Sequence, residues 1–301
     1  MTNSTEDTLF RSGFLALIGR PNVGKSTLMN AILQHNLAAV SARPQTTRRT
    51  QAGILTLPHA QLIFIDTPGI HEPVHKLGKL MNHAARTSLE DADLHLIVFD
   101  ASMDPTEEDR LMTDLLKEKS YPIPRAGLLN KADLVSEIEM EQRKVIYKQL
   151  LPDTDLTPVS AVKGIDRTLI DQWIDLLLPG PMYYPEDQLT VDYERDIAAE
   201  MIRSAAMEFL HHEVPHSIAV RIDQYKERSE ELAYIKATIF VERESQKGIV
   251  IGKQGMMLRK IGTAARKEIE SMSGRKIYLE LRVKVLPGWR NDDRSLKQLG
   301  Y

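Results

Sequence analysis

Gly19-Arg20-Pro21-Asn22-Val23-Gly24-Lys25-Ser26 is the stretch on which the reading of this chain turns. It closes an apolar run, Phe14 to Ile18, and opens an apolar-periodic segment from Thr27 to Leu33. A strand, a glycine loop and a helix start in that order are what a phosphate-binding loop requires. Such a loop turns successive backbone N–H groups inward and cradles a phosphate chain at a helix N-terminus. In that arrangement Lys25 reaches the β- and γ-phosphates, and Ser26 places its hydroxyl on Mg²⁺.

Around this loop the first 180 or so residues alternate strands and helices. Phe14–Ile18, Gly53–Leu57, Leu62–Ile65, Leu94–Phe99, Ala126–Leu129 and Thr157–Val159 read as strands. Helical periodicity fills Lys76–Leu89, Glu107–Lys119, Glu139–Leu151 and Ile165–Leu178. Alternation of this kind predicts an α/β domain built on a mostly parallel sheet, with one antiparallel hairpin across Pro58-His59-Ala60-Gln61.

Further short motifs fall at the ends of predicted strands. Asp66-Thr67-Pro68-Gly69 offers a carboxylate for the metal's water shell and a glycine for close approach to a terminal phosphate. Gln45-Thr46-Thr47-Arg48 lies upstream, and the Thr47 hydroxyl can complete Mg²⁺ coordination while a γ-phosphate is bound. Asn130-Lys131-Ala132-Asp133 supplies base selection, because the Asp133 carboxylate accepts both N1–H and N2–H of guanine and meets adenine N1 acceptor to acceptor. Such a buried hydrogen bond rejects the wrong base by about 10⁴. Asn130 bridges base and loop, the Lys131 stem lies across the ring, and Ser160-Ala161 aims a backbone N–H at guanine O6.

With these motifs in this order, Phe14–Pro179 resembles the translation-factor-type GTPases of the TrmE–Era–septin group. The resemblance implies binding of GTP and GDP with Mg²⁺, through Gly19 to Thr27, Asp66 to Gly69, Asn130, Lys131, Asp133, Ser160 and Ala161. It departs from the Ras-like pattern at Ile70, where those enzymes carry a glutamine that orients the attacking water. GTPases of the resembled group use a K⁺ ion held by a loop asparagine, which makes Asn22 a catalytic candidate beside Lys25, Thr47 and Gly69; a purely structural Asn22 is the alternative.

Pro179-Gly180-Pro181 ends the last helix of this region and predicts a boundary: a GTPase domain over 1–181, a linker over 182–190 and a second domain over 191–301. The net charge of −3 is unevenly spread. Up to Leu189 there are 19 Lys and Arg against 25 Asp and Glu, and from Thr190 onward 20 against 17. Lys247, Lys253, Arg259, Lys260, Arg266 and Lys267 follow one another with no acidic residue between. Among them sits Ile251-Gly252-Lys253-Gln254-Gly255, a Gly-x-x-G turn that brings backbone close to phosphates. The expected elements are a helix over Tyr193–Leu210, strands over Ser217–Tyr225 and Leu232–Val241, a helix over Met256–Met272 and a strand over Lys276–Val285. This second domain resembles an α+β type II KH domain, which implies RNA binding through Lys247, Ile251 to Gly255, Arg259, Lys260 and Arg266.

The two domains together resemble the Era family of bacterial ribosome-assembly GTPases. That resemblance implies 16S ribosomal RNA near its 3′ end and the 30S subunit as partners, a monomeric cytoplasmic protein, and peripheral association with the inner membrane. Two other readings stand: a non-catalytic nucleotide-sensing RNA-binding module, and a GTPase whose second domain binds protein.

Other signals are set aside. No cysteine is present, so no disulfide framework arises, and no apolar run has the length of a membrane span. His71-Glu72-Pro73-Val74-His75 and His212-Glu213-Val214-Pro215-His216 match a zinc-peptidase string, but each has an internal proline that a continuous helix does not tolerate. Trp289 and Tyr301 are expected to pack a C-terminal helix.

Overall fold

The structure is a computed structural model and describes residues 9–40, 47–70, 72–117 and 123–301. Gln45, Thr46, His71 and the last two residues of the helix expected over Glu107–Lys119 lie outside the described residues.

The first half follows the expected alternation: β1 (Arg11–Ile18), α1 (Lys25–Leu33), β2 (Gln51–Leu57), β3 (Ala60–Asp66), α2 (Lys76–Glu90), β4 (Leu94–Asp100), α3 (Glu107–Lys117), β5 (Arg125–Asn130), α4 (Glu137–Lys148), β6 (Leu156–Pro158) and α5 (Arg167–Leu176). The strands form one sheet in the order β2-β3-β1-β4-β5-β6. Only β2 runs antiparallel, paired with β3 through the anticipated hairpin. Every residue of β4 is buried, as a strand covered on both faces demands. α4 begins two residues earlier than its apolar periodicity suggests, because Ser136 and Glu139 close a capping box.

The second half contains α6 (Glu194–Phe209), the short α7 (Val214–Ser217), β7 (Ala219–Ser229), β8 (Leu232–Val241), α8 (Glu244–Ile251), α9 (Met256–Ser273), β9 (Lys276–Val285) and α10 (Asp293–Gln298). β7 and β8 pair antiparallel, and β9 lies parallel to β8. The resulting α–β–β–α–α–β order is that of a KH domain. α8 escapes sequence reading because only Gln246 and Val250 are buried along it, too few to print a helical stripe. Gln246 fixes its start by accepting from the N–H groups of Glu242 and Arg243.

The chain divides into two compact units. One gathers the segment ending at Leu33 with Gln51–Thr67 and Arg86–Val191; the other gathers Gln34–Thr50, Pro68–Ala85 and Asp192–Tyr301. Residues 182–190, expected as a linker, are hydrogen-bonded onto the first unit. Gln61 accepts from the N–H groups of Tyr183 and Tyr184, Leu189 accepts from Ile54 N–H, and the Thr190 hydroxyl donates to Ala52. The Ile54 and Ala52 contacts occupy polar backbone groups along β2, an edge strand of the sheet.

In the second unit, Leu77 and Met81 of α2 share a buried cluster with Ala219, Phe240, Trp289, Leu296 and Leu299. Trp289 is fully buried and donates its indole N–H to Ser217 O at 2.8 Å. The Tyr301 ring stacks on it. Both aromatic groups therefore pack the chain's C-terminal helix. Trp289→Ala should lower the stability of this unit by about 3–5 kcal/mol, and Trp289→Phe, which keeps a ring but loses the hydrogen bond, should cost less. Denaturant titration of the two variants checks the order; equal losses would contradict the packing role.

Candidate nucleotide site and nucleic-acid groove

The loop between β1 and α1 is coiled by two left-handed residues, Asn22 at φ 65° and Gly24 at φ 99°. Gly24 has a second constraint: a Cβ there would lie 2.3 Å from the Asn130 side-chain nitrogen. Lys25 is buried and donates its ammonium to the carbonyls of Gly19 at 2.9 Å and Arg20 at 3.1 Å. Its side chain thus bridges the loop it is meant to serve. Ser26 Oγ lies 2.5 Å from Asp66 Oδ2, and Thr67 Oγ1 donates to Leu17 O at 2.7 Å. The Ser26 and Asp66 oxygens are hard donors of the kind that Mg²⁺ takes, and Asp66 is fully buried.

On the base side, Asn130 joins two loops. Its Nδ2 donates to Val23 O at 2.8 Å, and its Oδ1 accepts from Ala161 N–H at 3.0 Å. The Ala161 N–H assigned to guanine is therefore also a partner of Asn130. Lys131 takes a left-handed φ of 64° and reaches Asp100 at 2.6 Å. Asp133 accepts from the Ser160 hydroxyl at 2.6 Å, and this bond holds its carboxyl below the usual range.

Two acids, Asp100 and Asp109, that brace the expected loop residue Arg20 escape sequence reading. Arg20 is buried, with its guanidinium 3.2 Å from Asp109 and 3.4 Å from Asp100, the same carboxylate that meets Lys131. Burial alone would raise the Asp100 carboxyl, but hydrogen bonds from Lys131 and Ser102 outweigh it and keep the group ionised. Asp100 thereby ties the phosphate loop to the base-selecting loop. Its only sequence signal is a lone carboxylate ending an apolar run. What Arg20 offers a ligand is its backbone. Thr47, Pro68 and Gly69 belong to the second unit.

In that second unit the Gly-x-x-G turn joins α8 to α9. Gly252 at φ 69°, Gln254 at φ 51° and Gly255 at φ 75° are all left-handed, and a Cβ on Gly252 would fall 2.6 Å from that of Met257. Lys253 and Gln254 are exposed at the tip. A groove of about 430 Å³ runs between α9 and β9, lined among others by Gly255, Arg259, Gly262, Arg266 and Tyr278. Of the remaining candidates, Lys260 is exposed with its ammonium 4.3 Å from the Phe209 ring centroid, Ile251 is half-buried, and Lys247 is 3.6 Å from Glu244. In the peptidase-like strings, His75 precedes α2 and His212, at φ 56°, precedes α7, so neither stands within a helix.

A phosphate loop, a carboxylate-bearing base pocket and a KH-type groove define a GTPase joined to an RNA-binding domain. Residues 14–131 match the family described as 50S ribosome-binding GTPase, and residues 213–290 match the KH domain family. GTPase Era of Ruminiclostridium cellulolyticum is 46% identical over 97% of this chain and 98% of its own length. The crystal structure of Era in complex with MgGDPNP and nucleotides 1506–1542 of 16S ribosomal RNA superposes with a TM-score of 0.90 at 36% identity, covering 97% of this chain and 99% of that one. A tyrosine-to-alanine variant of Aquifex aeolicus Era bound to GDP·AlF4⁻ gives the same score, identity and coverage. The chain belongs to the Era family, and it is a GTP hydrolase.

Burial pushes the Lys25 ammonium down to about 8, with the Asp66 charge opposing. A bound polyphosphate favours the charged form, so binding takes up a proton wherever the free protein has lost one. GDP affinity should be level below about pH 8 and fall by about tenfold per unit above it. Lys25→Arg, whose charge does not titrate here, should give a level profile. Calorimetric titration from neutral to alkaline pH checks this, and a level wild-type profile would contradict it.

Proposed function

We propose that this GTPase converts its nucleotide state into affinity for the 3′ end of small-subunit ribosomal RNA, and so serves 30S assembly. The observation that carries the reading is that residues flanking both nucleotide-sensing sequences pack with the KH elements. Arg48, next to Thr47, donates to Ile218 O at 2.7 Å and His216 O at 3.0 Å and lies over the Trp289 ring. Leu77 and Met81, which follow Gly69, share the Trp289 cluster.

In this reading the functional domains are 1–181 and 191–301, with 182–190 as the connection. The backbone of Gly19 to Gly24 and the Lys25 ammonium hold the phosphates, and Thr27 continues the helix start. Ser26, Thr47 and Asp66 hold Mg²⁺, which when bound spreads the charge of the β- and γ-phosphate oxygens. Thr67 and Pro68 set the turn that presents Gly69 N–H to the γ-phosphate. Asn130 locks the two loops, Lys131 covers the base, Asp133 selects guanine with Ser160 orienting it, and Ala161 N–H is shared with guanine O6. Ile70 is buried and has no polar atom to orient a water, so slow intrinsic turnover follows, with K⁺ at Asn22 supplying positive charge in the transition state.

RNA enters the α9–β9 groove, with Gly252 to Gly255 against its backbone, Ile251 against a base, and Lys247, Lys253, Arg259, Lys260 and Arg266 supplying charge. The matched GTPase family is described by 50S binding, but that match ends at residue 131 and the groove lies beyond it. The homologue solved with 16S RNA supports the small subunit instead. A cytoplasmic monomer fits this reading. No helix among the described residues is long and apolar enough to cross a membrane, and peripheral membrane association rests on the family resemblance alone.

Phosphate release from GTP and ATP, in K⁺ and in Na⁺, tests the nucleotide half. Turnover should be confined to GTP and stimulated by K⁺, with the K⁺ effect lost in Asn22→Ala. Asp133→Asn should weaken GTP and admit XTP, because the amide donates to the xanthine carbonyl; unchanged GTP preference would remove the base assignment. For the RNA half, Lys253→Glu should weaken binding of a 16S 3′-end oligonucleotide and flatten its salt dependence by about 0.7 in log–log slope. Unaltered binding in that variant would remove the groove assignment.

A further inference from the structure

The three-stranded sheet packs α9 on one face. Its other face is covered at one end only, where Ala219 and Phe240 join the Trp289 cluster. Toward the opposite end this face carries cross-strand rows: Arg221, Thr238 and Arg282; then Gln224, Lys236 and Glu280; then Lys226, Tyr234 and Tyr278. The Tyr234 and Tyr278 rings stack with centroids 5.8 Å apart, and the Arg228 guanidinium lies 5.0 Å from the centroid of Tyr234. Tyr278 is 62% exposed, stands on edge strand β9, and also lines the groove between α9 and β9.

Charge separates this face from an ordinary solvated one. Its two acids are consumed internally: Glu280 takes the Tyr234 hydroxyl at 2.6 Å and Lys236 and Arg282 at 3.0 Å each, and Asp223 takes Arg221 at 2.8 Å and the Thr238 hydroxyl at 2.5 Å. Lys226 and Arg228, at the open end, are exposed and form no salt bridge among the described residues. An exposed aromatic ring among uncompensated cations is the composition of a single-strand stacking platform. A KH groove clamps about four nucleotides, so a longer strand leaving it must run over neighbouring surface.

We propose that this open end of the sheet is a second RNA contact, where a base stacks on Tyr278 and Lys226 and Arg228 meet phosphates of the unpaired nucleotides that flank those in the groove. The proposal rests on the reading that the groove binds RNA. It places the strand's exit across β9, with Tyr278 shared between groove and platform.

The test compares the full chain's affinity for two single-stranded RNAs from the 3′ end of 16S RNA, one of about six nucleotides to fill the groove and one of about fourteen to pass beyond it. The longer RNA should bind more tightly to the wild type. Tyr278→Ala should weaken the longer RNA by about 5- to 150-fold, and Tyr278→Trp should restore it. Lys226→Glu with Arg228→Glu should weaken the longer RNA alone and lower its salt slope by about 1.4. Equal affinity of wild type for the two RNAs, or a longer-RNA affinity indifferent to these changes, would overturn the proposal; a face that docks protein gives that result. If the shorter RNA does not bind and Lys253→Glu is silent, the groove reading falls instead, and a Tyr278-dependent gain with the longer RNA still upholds the platform.

Discussion

The guanidinium of Arg48 is held between two main-chain carbonyls and the face of Trp289, with only 2% of the residue exposed. A buried charge stripped of such partners is costly, by about 3–5 kcal/mol, so this stretch of chain is not free to drift. Arg49 continues the attachment, donating to Leu299 O, pairing with Asp196 and lying over the Tyr301 ring. Leu77 and Met81 add an apolar attachment from the other side of the Asp66–Gly69 motif. The Gln45–Arg48 and Asp66–Gly69 motifs are thus neighbours, along the chain, of residues that pack in the KH unit's own core. In the proposed function, a nucleotide-dependent rearrangement of this stretch is what reaches the RNA-binding structure.

The nucleotide half depends on a different fixture. Asn130 satisfies its amide between Val23 and Ala161, and Asp100 satisfies Arg20 and Lys131. These buried bonds hold the phosphate loop and the base loop in register before any ligand arrives. Preorganisation of that kind favours tight guanine selection without supplying a catalytic base, which agrees with the apolar, buried Ile70 beside Gly69.

Much of this was legible in the sequence because it is local. The phosphate loop, the Asn130–Asp133 and Ser160–Ala161 motifs and the Gly252–Gly255 turn are short strings whose chemistry is written in adjacent residues, and the strand–helix alternation fixed the sheet that carries the first three. Contacts that span the chain left no such trace. The Arg48–Ile218 bond joins residues 170 positions apart, and nothing periodic marks either partner. Asp109 reads as an ordinary acid in the first turn of α3, yet it is buried against Arg20. The small helix α8 was hidden for the opposite reason, since two buried positions cannot declare a period. The attachment of 182–190 to β2 and β3 was likewise unreadable, because the Leu189–Ile54 main-chain bond depends on no side-chain pattern and Gln61 and Thr190 are lone polar residues.

The decisive measurement is thermodynamic linkage between guanine nucleotide and RNA on the intact chain. RNA affinity is measured with a non-hydrolysable GTP analogue, with GDP and with no nucleotide, and nucleotide affinities are measured with and without RNA. The structure predicts that the analogue and GDP differ in their effect on RNA by about fivefold or more, and that RNA changes the ratio of the two nucleotides' affinities by that same factor. Identical RNA affinity in all three states would mean that the attachments at Arg48, Arg49, Leu77 and Met81 carry no signal.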